Sequence, residues 1–253
     1  MSGSAYTQLL IRPISTMSRA VILAGGKGTR LRPYTVVLPK PLMPVGEYPI
    51  LEVILRQLAV CGFDHITMAV NHQAELIKAF FGDGSKWNLK IDYSMETEPL
   101  STMGPLKLIE DLPENFLVMN GDVLTDLHFG QLLSRHEEQG HLFTIAASRR
   151  EHMVDYGVLT IDSTGKLSGF EEKPRLNYLV SMGVYVANRR VLDLIPSRQK
   201  YGFDHLMIEL IGRGEKVQVE DSDNYWLDIG RVDDYMRAID EFEGNRKRLL
   251  HEV

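Results

Sequence analysis

The sequence predicts an α/β fold built on a mostly parallel sheet with helices on both faces. Three observations predict it. Short apolar runs alternate with segments of helical periodicity through the first half of the chain. A glycine-rich loop follows the first apolar run directly. The composition, 44% hydrophobic and 25% charged over 253 residues, provides for a sizeable core.

The elements follow in order. Residues 20–23, Ala-Val-Ile-Leu, read as a buried strand. Residues 50–60 carry Ile50, Leu51, Ile54 and Leu58 at helical spacing and end near Gly62. Residues 66–70 form a second strand, and 75–81 a helix stopped by Gly82-Asp83-Gly84. Residues 89–93 alternate as a strand, 105–109 open a helix, 116–119 are a buried strand and 129–139 are helical. This βαβ rhythm requires crossover connections and a parallel sheet.

The second half changes character. Strands are predicted over 143–147, 157–161, 167–171 and 178–187, with a turn at Asp162-Ser163-Thr164-Gly165 and helices over 205–212 and 232–250. The sheet is therefore expected to be mixed. No linker of biased composition divides the chain, so residues 19–253 read as one domain with two lobes, about 19–140 and about 141–253. Residues 1–18 contain no acidic residue and are expected to be a non-catalytic tail. No internal repeat and no C-terminal hexapeptide series of the β-helix kind is present.

Net charge is −6, which leaves no electrostatic footprint for nucleic acid. The single cysteine, Cys61, falls in an apolar stretch and reads as core; one cysteine forms neither an intrachain disulfide nor a zinc cluster. No apolar run reaches membrane-spanning length. The expectation is a cytoplasmic protein without nucleic-acid or membrane partners.

The chemistry concentrates in Leu23-Ala24-Gly25-Gly26-Lys27-Gly28-Thr29-Arg30-Leu31-Arg32-Pro33, followed by Pro39-Lys40-Pro41. Glycines let a backbone approach a ligand closely and leave N–H groups free for anionic oxygen. Arg30 offers a forked donor and Lys40 a point charge for phosphate. Neither G-x-G-x-x-G nor a Gly-Lys-Ser/Thr P-loop is present, which counts against a dinucleotide dehydrogenase and a P-loop NTPase. Asp122 in Asn120-Gly121-Asp122 follows a buried strand, and in open α/β sheets ligands bind at the carboxyl ends of strands. Asp126 reads as a cap for the helix that follows.

The loop resembles the signature of the sugar-1-phosphate nucleotidyltransferases, the NDP-sugar pyrophosphorylases. Four further segments carry the resemblance: Gly121-Asp122, Glu171-Glu172-Lys173-Pro174, Trp226-Leu227-Asp228-Ile229-Gly230, and Glu96-Thr97-Glu98-Pro99-Leu100-Ser101-Thr102-Met103-Gly104-Pro105. The last is closest to the mannose-1-phosphate guanylyltransferase branch. The resemblance implies a Rossmann-like fold of the nucleotide-diphospho-sugar transferase kind. It implies Mg²⁺ held by Asp122 and Asp228. It also implies catalytic roles for Arg30, Lys40, Asp122, Lys173 and Asp228. Leu23, Ala24, Gly25, Gly26, Gly28, Thr29, Arg30, Glu96, Pro99, Ser101 and Gly104 would bind the nucleotide. Gly157, Glu172, Lys173, Val180 and Ser181 would bind the sugar phosphate.

Ser101, Met103, Ser181 and Met182 stand where the family commonly has smaller or different residues, and are expected beside the substrates. The implied partners are an NTP (GTP, UTP, dTTP or CTP, with a tilt to GTP and a mannose-type sugar), a sugar 1-phosphate, and further copies in a homo-oligomer. The rival readings are a regulatory NDP-sugar-binding homologue and cytidylyl transfer to a non-sugar phosphate.

Overall fold

The structure, a computed structural model, describes residues 18–251. The expected tail therefore lies outside the described residues apart from Ser18. The chain runs β1 (Arg19–Leu23), β2 (Pro44–Val45), β3 (Tyr48–Pro49), α1 (Ile50–Val60), β4 (His65–Val70), α2 (Ala74–Phe81), β5 (Lys90–Met95) and β6 (Asn115–Asn120). It continues through β7 (Val123–Thr125), α3 (Phe129–Gln139), β8 (Phe143–Met153), β9 (Gly157–Ile161), β10 (Leu167–Glu172) and β11 (Arg175–Asn188). It closes with α4 (Phe203–Gly212), β12 (Val217–Ser222), β13 (Trp226–Asp228) and α5 (Val232–Leu250).

Seven strands form the main sheet in the order β12-β8-β11-β6-β1-β4-β5. The β6-β1-β4-β5 half is parallel, while β11 runs antiparallel to both β6 and β8. This is the mixed, mostly parallel α/β sheet expected from the sequence. Alternation divides each central strand between two cores. Ala20, Ile22, Leu117 and Met119 pack into one; Val21, Phe116 and Val118 pack into the other. Both faces are dry, so the strands read as unbroken apolar runs.

Some local readings change. The helix expected at 105–109 is a short 3₁₀ turn, Gly104–Leu108; it is too short to nucleate an α-helix. The cap of α3 is His128, whose Nδ1 accepts from the Gln131 N–H at 3.3 Å. Asp126 sits too early in the chain to cap that helix; it pairs with Arg248 on α5 and accepts from Asn224. The basic end of α5 is therefore also a tertiary tie. Strands β2, β3, β7, β12 and β13 were not anticipated; four of the five span two or three residues, and β12 lacks an apolar pattern.

Strands β8 and β11 outrun their apolar segments. Beyond Ser148 and Val180 they leave the core as a two-stranded arm, which continues through the β9–β10 hairpin. The chain breaks its ladder between Val154 and Pro174, where Lys173 takes φ +46°. At the tip, Asp162 Oδ1 accepts from the Thr164 and Lys166 N–H groups, closing the predicted turn. Where β11 passes from arm to core, its ladder shifts register between Ser181 and Tyr185. Gly183 there has φ +73°, and a Cβ on it would sit 2.7 Å from Asn120 Nδ2. Only glycine fits that crossing.

Candidate active site

A cavity of about 500 Å³ opens at the carboxyl ends of β6, β1, β4 and β5. Its wall includes Leu23, Gly25, Gly26 and Lys27 after β1, Asn71 after β4, Glu96 after β5, and Asn120 and Asp122 after β6. Pro99, Ser101, Thr102 and Pro105 complete it. Three strand spacings separate the Asp122 end from the Glu96 end, about 14 Å.

The Asp122 end is charged. Strand β13 pairs antiparallel with β7, setting Asp228 opposite Val123, and the Ile229 N–H donates to the Asp122 carbonyl at 3.1 Å. These two short strands bring together carboxylates that lie far apart in sequence. Lys40 Nζ forms an ion pair with Asp122 Oδ2. The other oxygen, Asp122 Oδ1, is buried and has no hydrogen-bond partner. Burial, and then the Asp122 charge, push the Asp228 carboxyl above the usual carboxylate range; Lys40 and Arg30 pull the other way. The Arg30 guanidinium lies against Gly230, about 3.6 Å from where a Cβ would be. Arg30, Lys40, Asp122 and Asp228 thus form one cluster of two cations and two acids.

Its supporting turns explain the Gly-rich sequence. Gly28 has φ +60°, and its carbonyl accepts from Thr35 Oγ1 at 2.7 Å, which closes the loop that carries Arg30. Lys40 starts a 3₁₀ turn set by Pro39 and Pro41.

The Glu96 end is half-buried. Glu96 Oε2 accepts from the Leu100 N–H at 3.0 Å. Its Oε1 faces Gly25, where a Cβ would lie 2.8 Å away. Burial pushes the Glu96 carboxyl up, and the Leu100 N–H partly offsets this. The loop beyond is clamped from the other lobe: Phe203 N–H donates to Thr102 Oγ1 at 2.8 Å, and Met103 and Gly104 N–H donate to the Tyr201 carbonyl.

Not every anticipated residue lines the cavity. Ala24 is buried beneath the loop, and Gly104 packs on Leu100 and the Gln199 carbonyl. Gly28 and Thr29 shape the loop rather than form the wall. Met103 and Met182, expected beside the substrates, are fully buried core residues. Side-chain direction, not motif position, decides this: each points to the apolar face of its segment. Ser101 does reach the cavity, with φ +68°. Ser181 instead bonds Tyr185, at 3.1 Å.

Gly157, Glu172 and Lys173 lie apart, on the arm: Gly157 and Glu172 are the first cross-strand pair beyond the kink, and Lys173 is at the kink itself. Val180 lies at the arm's root. Trp226 ties that root to the cluster. Its Nε1–H donates to the Met182 carbonyl at 2.9 Å, Arg150 lies 4.5 Å over its ring, and Asp228 is two residues on.

Asn71, Lys27, Thr102, Pro105 and Asn120 line the cavity without having been assigned to it. Asn71 carried a usable signal, since it ends a buried strand just as Asn120 does. Among the described residues no group of three or more His, Cys, Asp or Glu side chains converges to hold a metal by itself. Among the described residues no helix is long and apolar enough to cross a membrane.

The sequence profile of the family described as Nucleotidyl transferase matches residues 19–244. The chain is 36% identical over 241 residues to a UTP–glucose-1-phosphate uridylyltransferase of Synechocystis, covering 87% of this chain and 62% of the relative. It is 36% identical over 226 residues to a mannose-1-phosphate guanyltransferase of Yarrowia lipolytica, with 86% and 62% covered. The chain thus spans 62% of the length of these curated relatives. Among solved structures, HddC from Yersinia pseudotuberculosis complexed with GMP-PN superposes with a TM-score of 0.67 at 26% identity, covering 89% of this chain and 100% of that one. A putative glucose-1-phosphate thymidylyltransferase from Bacillus anthracis shares the fold, with a TM-score of 0.71 at 24% identity over 88% of this chain and 94% of that one. With its fold, its strand-end cavity and its sequence in agreement, the chain belongs to the nucleotidyl transferase family.

Proposed function

We propose that this protein transfers a nucleotidyl group from an NTP to a sugar 1-phosphate, releasing pyrophosphate. The observation that carries the reading is the Arg30–Lys40–Asp122–Asp228 cluster at one end of a cleft whose other end is lined by Glu96. A nucleotide laid across those strand ends spans from charge to base.

The reaction joins two anions, so repulsion is the main obstacle. An oxygen of the sugar phosphate attacks the α-phosphorus, the bond to the bridging oxygen breaks, and pyrophosphate leaves with the electron pair. The nucleophile is already ionised, so no general base is needed. Positioning and charge neutralisation supply the rate. Arg30, exposed and lying beside Gly230, meets the departing pyrophosphate. Lys40 is held against Asp122 and faces the α-phosphate. Lys173 and Glu172 on the arm hold the acceptor, the first at its phosphate and the second at its hydroxyls.

Asp122 and Asp228 fit Mg²⁺. One buried Asp122 oxygen lacks any partner, and Asp122 and Asp228 together would hold the ion through the hard carboxylate oxygens that Mg²⁺ takes. Mg²⁺, when bound, supplies further neutralisation of the α-phosphate. Both acids must be ionised to hold it, so the raised pKa of Asp228 sets an acid limit on binding.

Guanine fits Glu96 best. A carboxylate only accepts, and guanine presents N1–H and N2–H side by side as two parallel donors. Uracil and thymine present one donor flanked by carbonyls that a carboxylate repels. The guanyltransferase relative and the GMP-PN complex support this preference. Retention of all five charged residues favours an enzyme over a non-catalytic homologue. The deciding experiment is a matrix of NTPs against sugar 1-phosphates with Mg²⁺, read by pyrophosphate release. GTP with a mannose-type 1-phosphate is expected to lead. Absence of pyrophosphate across the matrix overturns the reading.

A further inference from the structure

Strand β13 carries Asp228 but has little to hold it. It pairs with β7 alone, over three residue pairs, and a two-stranded ribbon is marginal in water by itself. Its bonds toward β7 alternate: the Tyr225 carbonyl accepts from the Asp126 N–H at 3.3 Å, and the Ile229 N–H donates to the Asp122 carbonyl at 3.1 Å. The carbonyls of Trp226 and Asp228 therefore face away from β7. That of Asp228 turns back to the Gly230 N–H at 2.9 Å. That of Trp226 needs a donor from another element.

Arg150, at the root of the arm, is that donor. Its Nη2 donates to the Trp226 carbonyl at 2.8 Å, and its guanidinium lies 4.5 Å over the Trp226 ring. Alternation along β8 sends the neighbouring Arg149 to the opposite face, where it pairs with Asp221. Side chains two residues apart share a face of a strand, so the guanidinium packs on the face of β13 that also bears Asp228. The charges that move the Asp228 carboxyl are those of Asp122, Lys40, Arg30 and Asp234. Arg150 acts on it through the backbone instead. We infer that Arg150 is a positioning residue for Asp228: through it the arm reaches back and fixes the strand that presents this acid to Mg²⁺. The inference rests on the proposed role of Asp228 as a metal ligand.

The site calls for arginine in particular. One N–H of a planar fork takes the carbonyl while the plane itself stacks on the indole. An ammonium group is a point charge and does not make both contacts at once. The Trp226 Nε1–H is taken by the Met182 carbonyl at 2.9 Å. Trp226 is thus held by β11 at its ring nitrogen and by β8 at its carbonyl and ring face, two residues before the acid.

Binding of Mn²⁺ to the full chain tests this with no substrate present and hence no turnover, the free ion being counted by electron paramagnetic resonance. Arg150→Met is expected to weaken binding about 10- to 30-fold, the usual cost of removing a group that orients a metal ligand. Arg150→Lys is expected to recover little of it. Arg149→Met, one residue away, is expected to match the wild type, and Asp228→Asn to lose the ion. Hydrogen exchange is expected to quicken over residues 225–230 in Arg150→Met, with β1 and β6 as protected as before. Arg150→Met binding within about twofold of the wild type, while Asp228→Asn loses the ion, overturns this inference alone. Retention of the ion by Asp228→Asn overturns the metal reading of that acid, and this inference with it. Should Arg150→Met lose protection throughout the chain, Arg150→Gln, which keeps one donor, replaces it under the same criteria.

Discussion

Asp122 and Lys173 stand in opposite surroundings. Asp122 leaves β6, whose Phe116, Leu117, Val118 and Met119 are fully buried, and it is fixed by β7, β13 and Lys40. Lys173 lies on an arm where every residue from 151 to 179 except Val154, Gly169 and Pro174 is exposed. One half of the candidate site is a set of strand ends anchored in two cores. The other is a ribbon joined to the body at one elbow. The contrast matches the chemistry proposed for each half. Charge neutralisation at phosphorus needs groups that do not relax during reaction. Accepting a polar sugar needs a surface that can be re-shaped without disturbing the core.

The sharpest way to break this comparison is to remove the rigid acid. Asp122→Asn is expected to lower kcat about 10³-fold, about 4 kcal/mol of transition-state stabilisation. Pyrophosphate release at saturating substrates checks it, and a near-normal rate overturns the assignment.

The next effect concerns how the arm is rooted. His136 on α3 is buried and shares a hydrogen bond of 2.8 Å with Thr144 on β8. Burial, and then the charge of His141, lower its pKa from 6.5 to about 4. The unfolded chain binds this proton below about 6.5 and the folded chain does not. Stability is therefore whole above pH 6.5 and declines as pH falls toward 4. The loss is on the order of 3 kcal/mol, about 8 °C in Tm for a chain of this size. His136→Gln is expected to flatten that part of the Tm-versus-pH curve.

Lys173→Met tests the arm itself. The KM for sugar 1-phosphate is expected to rise about 100-fold, about 2.7 kcal/mol, as suits loss of a charged hydrogen bond. The KM for the NTP is expected to stay within about twofold, because the two halves are held separately. A rise in both would mean that the halves are not distinct.

Glu96→Gln tests base reading. Glutamine turns one acceptor into a donor, so the preference for GTP over UTP is expected to fall about 10- to 30-fold, with kcat little changed. Competition between the two nucleotides measures it directly. The smallest effect falls at the joint between the halves. Trp226→Phe removes the bond to the Met182 carbonyl while keeping most of the packing. It is expected to cost about 1 kcal/mol, about fivefold in kcat/KM, shared by both substrates. Loss confined to one substrate would show that Trp226 does not couple them.

Much of this was legible before the structure. Helices α1, α3 and α5 match their periodicity, because each must bury one stripe against a sheet or a neighbouring helix. The loop and Asp122 stand out because glycines and charges next to apolar runs are locally unusual; Lys173 and Asp228 were singled out by the family resemblance alone. Other features have no local signal. The contact between Lys40 and Asp122 joins residues 82 apart. The β7–β13 ladder is three residues long on each side. Met103 and Met182 read as substrate-facing because their motifs are; only packing shows that both side chains turn inward. The arm was misjudged in length for the opposite reason. Its backbone ladder continues where hydrophobic alternation, the sole sequence guide to a strand, has stopped.

The register shift between Ser181 and Tyr185 makes the proposed acceptor half a cassette. On one side of Gly183, β11 pairs with β6 inside the core; on the other it pairs only with β8 in the arm. At Gly183 the crossing is bare backbone against Asn120. The arm beyond Arg150, which is held on Trp226, can therefore diverge in sequence while the strand ends around Asp122 stay untouched. A new acceptor requires a new ribbon and the same elbow, so chimeras between family members are best joined there.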